Sequence, residues 1–120
     1  MGDYSAVVRD HFLKPRNVGS LHDADAVGIE GQPGGGPHMQ IYVKLEGDRI
    51  SEIGFLTYGC AASIASCSML TEMVKGRAVE EALGITRDDL AEALGGLPLG
   101  KEHCSEMAVS ALRKALEGRM

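Results

Sequence analysis

The sequence predicts an α+β fold in which an antiparallel sheet of about three strands is covered by helices. Segments with the two-residue alternation of strands fall between residues 27 and 57, and segments with helical spacing follow from residue 60 onward. Hydrophobic residues make up 44% of the 120 residues and aromatic residues only 4%, so the core is expected to be aliphatic. A chain of this length is expected to form one domain, residues 1–120.

A short helix and a loop-rich stretch open the chain. The helix is expected from about Asp3, a suitable N-cap, to Leu13, and Pro15 ends it because the residue before a proline disfavours helical backbone. Residues 14–38 are rich in glycine and proline, and we expect loops there around one short strand, Val27–Glu30.

The next segments predict a β-hairpin. Met39–Leu45 alternates apolar and polar residues and is the clearest strand of the chain. Glu46–Asp48 is expected to form a tight turn, and Arg49–Thr57 then returns as the antiparallel partner.

Four helices are expected after the hairpin. The first begins near Cys60 and ends at Gly76, and its apolar stripe comprises Ile64, Cys67, Leu70 or Thr71, and Val74. A short helix over residues 78–83 follows, and Thr86 opens the next one through a capping box. The last helix is expected from residue 104 or 105 to about residue 117.

Charge and cysteine content exclude several classes of protein. The net charge of −5 argues against a nucleic-acid partner, because neutralising phosphates requires a basic surface. Residues 53–71 carry no charge, but Gly54, Gly59 and several serines favour a buried strand and helix over a membrane span. An odd number of cysteines, three, disfavours a secreted disulfide framework, so a reducing, cytoplasmic location is expected.

Two cysteines occur where a helix is expected to begin. Cys60 follows the hairpin, and His103 and Cys104 precede the last helix. Helix N-termini favour thiolates, and thiolates attack electrophilic sulfur or bind soft metals. If the two helices pack in parallel on one face of the sheet, Cys60, His103 and Cys104 converge as three metal ligands. That set suits zinc with an open position, or half of an iron–sulfur site.

Other interpretations of the same residues remain open. Cys60 alone is equally an inert buried thiol, and His103 alone is equally a capping or surface residue. Cys67 is assigned to the core, because it lies ~10 Å along the helix from Cys60. His11 and His22 are expected to be structural or solvated.

Seven motifs, taken in order, resemble the IscU/NifU N-terminal family of iron–sulfur cluster assembly scaffolds. The resemblance covers nearly the whole chain. The motifs are Tyr4-Ser5, Asp10-His11-Phe12, Pro15-Arg16-Asn17-Val18-Gly19, Gly31-Gln32-Pro33, Thr57-Tyr58-Gly59-Cys60, Glu72-Met73-Val74-Lys75-Gly76 and His103-Cys104-Ser105.

This resemblance implies a small antiparallel sheet with helices on one face and a role as a scaffold rather than an enzyme. Such scaffolds take persulfide sulfur from a cysteine desulfurase, accept iron, build a [2Fe–2S] cluster and pass it to apo iron–sulfur proteins. Many also bind zinc at the assembly site. The second and third cysteines of the family match Cys60 and Cys104, and its histidine matches His103.

The chain departs from the family where the first cysteine belongs. The family loop has the form Gly-x-Pro-x-Cys-Gly-Asp, and here Gly35 replaces the cysteine and Pro37 the aspartate. His38 is a candidate replacement ligand. The chaperone-recognition stretch Leu-Pro-Pro-Val-Lys is also altered, to Leu97-Pro98-Leu99-Gly100-Lys101.

The sequence therefore predicts a scaffold or carrier with atypical ligation, in which Cys104 accepts sulfur with His103 beside it. Two subunits, each supplying Cys60 and Cys104, would form a four-thiolate site in a homodimer. The alternatives are a zinc-binding sulfur-transfer module, a small thiol enzyme, and an interaction protein that has lost the chemistry.

Overall fold

The computed structural model describes residues 3–118 and contains one three-stranded antiparallel sheet in the order β1-β2-β3. The strands are β1 (Ala26–Gly31), β2 (His38–Glu46) and β3 (Arg49–Tyr58), which confirms the three predicted strands with one or two residues added to each. The helices are α1 (Ala6–Leu13), α2 (Ala61–Val74), α3 (Val79–Leu83), α4 (Arg87–Ala93) and α5 (Glu102–Gly118). The α+β fold class is confirmed.

The alternation in β2 decides which face of the sheet is covered. Met39, Ile41 and Val43 are buried beneath the helices, and their register partners on β3 include Phe55 and Ile53, which are buried with them. Gly47 turns the hairpin with φ of 63°, a conformation that glycine adopts without strain. The hairpin register shifts between Lys44 and Leu45, a bulge that the period-two pattern did not predict.

Helix α2 lies in the centre of the helical layer, in contact with α1, α4, α5 and β3. The predicted apolar stripe is therefore only part of its buried surface. Ser66 and Ser68 are fully buried although they lie off the stripe, whereas Ile64 is only half-buried. A helix with neighbours on nearly every side needs small residues all round, which explains its alanines and serines.

Helix α5 crosses β1 at very close range. A Cβ atom added to Gly28 would lie 1.9 Å from the carbonyl oxygen of Ala111 and 2.5 Å from the backbone nitrogen of Ala115. Only glycine permits this approach. The buried side of α5 includes the predicted apolar residues, and Val109, Cys104 and Ser105 are buried in addition to them. The predicted residues are Ala108, Ala111, Leu112, Ala115 and Leu116.

Two helix starts differ from the prediction. Helix α1 begins at Ala6 rather than near Asp3, because Ser5 is the N-cap: its hydroxyl accepts a hydrogen bond from the Val8 N–H at 3.0 Å and donates one to the Leu94 carbonyl. Helix α5 begins at Glu102, two residues earlier than expected, and the Glu102 carboxylate accepts a bond from the Lys101 N–H at 3.0 Å. The capping box at Thr86 is present as predicted.

Between residues 3 and 118, no helix combines the length and the apolar character that crossing a membrane requires.

Candidate functional site

The two predicted thiols meet at a serine hydroxyl. Cys60 is the N-cap of α2, and Cys104 lies in the first turn of α5. The Ser63 Oγ atom lies 3.8 Å from Cys60 Sγ and 3.6 Å from Cys104 Sγ. The starts of α2 and α5 thus converge. Ser63 lies three positions after Cys60 and 41 positions before Cys104, and its hydroxyl contacts both sulfurs.

Cys60 lies in surroundings that stabilise its thiolate. Burial alone would raise its pKa, but hydrogen bonds from the Ser63 backbone and hydroxyl and from the Ala62 backbone outweigh burial. The Lys101 ammonium, with Nζ 3.5 Å from Cys60 Sγ, acts in the same direction. Together these groups lower the pKa of Cys60 to about 7, so a large fraction is ionised near neutral pH.

Cys104 behaves differently, and the prediction that both thiols favour the thiolate is wrong for this residue. Its side chain is 0% exposed, and burial raises the pKa of Cys104. Its backbone N–H already bonds to the Lys101 carbonyl at 3.0 Å, because α5 starts earlier than expected. The sulfur lies inside the first turn rather than at an open helix end, so it is held as a neutral thiol.

His103 is exposed and reaches the pair from the solvent side. Its Nε2 atom lies 3.7 Å from Cys104 Sγ. Within the described part of the chain, no three His, Cys, Asp or Glu side chains are arranged to hold a metal ion. His103 therefore lies beside Cys104, Ser63 joins Cys104 to Cys60, and Lys101 lies beside Cys60.

The glycine-rich loop lines a cleft. Gly34, Gly35 and Gly36 line a space of about 410 Å³ with His38 and Tyr58. The His38 ring stacks on Tyr58 with centroids 6.3 Å apart, and its Nδ1 atom lies 3.2 Å from the Gly36 carbonyl oxygen. A Cβ atom at Gly35 would meet nothing closer than 3.4 Å, so this position has room for a cysteine.

Cys67 and His11 are part of the core, whereas His22 is exposed. Cys67 is fully buried and burial raises its pKa, which confirms its assignment to the interior. His11 is also buried, with Nδ1 2.8 Å from Ser68 Oγ, and burial lowers its pKa. This arrangement confirms the structural role expected for His11.

Sequence reasoning missed Ser63, Lys101 and Tyr4. Ser63 lies three residues after the N-cap cysteine, which is the spacing of a helix-capping partner and was a usable signal. Lys101 precedes Cys104 by three residues and reaches across to Cys60 instead, which no local spacing indicates. The pKa of Tyr4 is raised by burial first and then by the charge of Cys60, so its ring borders the same site.

Comparison with known proteins gives a consistent result. Residues 3–118 match the model of the family described as "NifU-like N terminal domain". Iron-sulfur cluster assembly scaffold protein IscU 1 of Archaeoglobus fulgidus is 58% identical over 113 residues, covering 94% of this chain and 74% of that protein. The IscU scaffold protein of Aquifex aeolicus is 46% identical over 117 residues, covering 96% and 74%. Nitrogen fixation protein NifU of Azotobacter chroococcum is 43% identical over 118 residues, covering 97% of this chain but 38% of its own length.

Solved structures share the fold. A putative iron-sulfur cluster assembly scaffold protein for the SUF system, from Fervidobacterium islandicum, superposes with a TM-score of 0.77 at 23% identity, covering 96% of this chain and 97% of that one. The crystal structure of a hypothetical protein gives 0.73 at 32% identity, covering 93% and 95%. With its fold, its paired thiols and these relatives in agreement, the chain belongs to the NifU-like N-terminal domain family.

Proposed function

We propose that this protein accepts sulfur and iron, builds or carries an iron–sulfur cluster of the [2Fe–2S] type, and passes it to apo iron–sulfur proteins. The observation that carries the proposal is the shared contact of Cys60 and Cys104 with Ser63 at the starts of two helices. Relatives that are 58% and 46% identical are named as scaffold proteins for cluster assembly, which supports the same role here.

Ligation in this chain is atypical under the proposal. A [2Fe–2S] cluster needs about four thiolate or imidazole ligands, and one chain offers Cys60, Cys104 and His103. Gly35 and Pro37 supply no ligand where the family has cysteine and aspartate. Two chains related by a twofold axis would supply four thiolates, so the cluster-loaded protein is a homodimer in this proposal.

Metal entry requires the hydrogen bonds on the sulfurs to be exchanged. Ser63 lies against both sulfurs and Lys101 against Cys60. An incoming iron or zinc ion replaces these contacts, and His103 then turns inward from its exposed position.

The incoming sulfur comes from a cysteine desulfurase in this proposal. Cys104, the acceptor that the sequence predicts, is completely buried, whereas Cys60 is half-buried and lies beside Lys101. The donor therefore meets Cys60 first, and Cys104 lies behind it. All three cysteines are free, which suits a reducing compartment such as the cytoplasm, and we assign the whole activity to one domain, residues 1–120.

Anaerobic reconstitution with iron and sulfide tests the proposal. Absorbance, metal content and oligomeric state are measured for the unmodified protein, for Cys60→Ser and Cys104→Ser, and for Cys67→Ala as the matched control. We expect a dimeric cluster-bound protein that both site variants lose and the control keeps. Gly35→Cys is expected to raise the cluster yield, because the loop has room for the side chain.

Two results would contradict this function. A scaffold function is excluded if neither the unmodified protein nor Gly35→Cys develops cluster absorbance when iron and sulfide are added. Zinc bound in an equimolar amount that iron does not displace would support the zinc-binding sulfur-transfer alternative.

A further inference from the structure

The thiol pair is asymmetric in a way that cluster ligation alone does not require. Cys104 Sγ is fully enclosed and Cys60 is half-buried, yet both sulfurs lie within 3.8 Å of one oxygen, Ser63 Oγ. One thiol is therefore accessible to a large donor, and the other is accessible only from inside the site. A half-buried thiol beside a fully buried one is an arrangement suited to two successive displacements on sulfur.

We propose that the Cys60–Cys104 pair reduces a persulfide to sulfide and ends as an intramolecular disulfide. This inference rests on the proposed function only in that sulfur arrives as a persulfide. In the first step, Cys60 Sγ attacks the outer sulfur of a donor persulfide. The donor S–S bond breaks, the donor leaves as a thiol, and Cys60 carries the transferred sulfur as its own persulfide.

In the second step, Cys104 Sγ attacks Cys60 Sγ from the buried side. The bond between Cys60 Sγ and its outer sulfur breaks, and that sulfur leaves with the electron pair. The proton of the Cys104 thiol ends on the leaving sulfur, so the products are hydrogen sulfide and a Cys60–Cys104 disulfide. The two cysteines lose two electrons and the transferred sulfur gains two. A dithiol reductant then returns the pair to its starting state.

Three features of the chain support this mechanism. Ser63 Oγ contacts both sulfurs, so the two meet at one point of the site, and the disulfide forms when they close to the bonding distance of about 2.0 Å. Lys101 Nζ, 3.5 Å from Cys60 Sγ, stabilises the departing hydrosulfide anion. Gly35 supplies no thiol where the family has a cysteine, and Cys67 lies in the core, so Cys104 is the thiol left to resolve a persulfide on Cys60.

The test needs no metal. The fully reduced protein is mixed without oxygen with glutathione persulfide, and released sulfide, intact mass and disulfide position are measured. We expect sulfide in an amount equimolar with the protein, together with the loss of two hydrogens and a Cys60–Cys104 disulfide. Cys104→Ser should retain one extra sulfur atom on Cys60 and release little sulfide, and Cys60→Ser should gain no sulfur. Cys67→Ala should match the unmodified protein.

Thermal unfolding of each variant separates a chemical effect from misfolding. A persulfide that stays on Cys60, or moves intact to Cys104, in the folded unmodified protein would overturn the inference. Sulfide release by Cys60→Ser at the unmodified rate would overturn it as well. These outcomes are independent of cluster assembly: a failed reconstitution with intact sulfide release contradicts the proposed function, and the reverse result contradicts only this inference.

Discussion

Replacing Gly28 by alanine is expected to separate α5 from the sheet. The new Cβ atom would lie 1.9 Å from the Ala111 carbonyl oxygen, and an ordinary contact requires ~3.5 Å. The helix or the strand must therefore move by about 1.5 Å. The two nearest atoms, the Ala111 carbonyl oxygen and the Ala115 nitrogen, belong to the backbone and cannot rotate away. Overpacking of this kind costs about 1–3 kcal/mol of the free energy of unfolding.

Thermal unfolding followed by circular dichroism measures the effect. At about 4 °C per kcal/mol for a chain of this size, Tm should fall by roughly 4–12 °C. Gly118→Ala, in α5 itself, is the control, because its Cβ atom would meet nothing within 4 Å. The shift of α5 should also make Cys104 react faster with iodoacetamide. If Gly28→Ala unfolds at the same temperature as the control, the close approach of α5 and β1 is refuted.

The other predictions concern titration and capping. Lys101→Met should raise the pKa of Cys60 above about 7 and slow its alkylation at neutral pH, whereas Lys101→Arg should not; equal rates for all three proteins would contradict the role of the charge. Burial lowers the pKa of His11 below its ordinary 6.5, so the unfolded chain binds more protons and the free energy of unfolding should decline as pH falls below that value. Denaturant unfolding across this range checks it, and His11→Gln should flatten the decline. Thr86→Ala should cost about 1 kcal/mol in the same assay by removing the N-cap of α4, a loss that Thr86→Ser should largely avoid.

Local patterns predicted the secondary structure because the forces that set it act between near neighbours. The alternation in Met39–Leu45 indicated a strand with one buried face, and the structure buries Met39, Ile41 and Val43. The capping box at Thr86 depends on residues three positions apart, so it could be predicted equally well. Features that depend on distant segments were harder to predict, such as the burial of α2 on nearly every side.

The same distinction applies to the site. That Cys60 begins a helix follows from its local sequence, and the structure agrees. That Cys104 is enclosed and neutral depends on the packing of α5 against other elements, which no pattern around residue 104 encodes. The contact of Lys101 with Cys60 joins residues 41 positions apart, so the sequence did not predict it for the same reason.

The contact of Ser63 with the sulfurs at two helix starts also couples ligand binding at those sulfurs to the stability of the fold. Ser63 and Cys104 are 41 positions apart in sequence, so the paired sulfurs exist only while α2 and α5 are docked together. Any species that binds both sulfurs consequently holds the docked state by mass action, adding RT ln(1 + [L]/Kd) to its free energy. By the same thermodynamic cycle, any change that undocks α5 from α2 weakens the binding of a species held by both sulfurs.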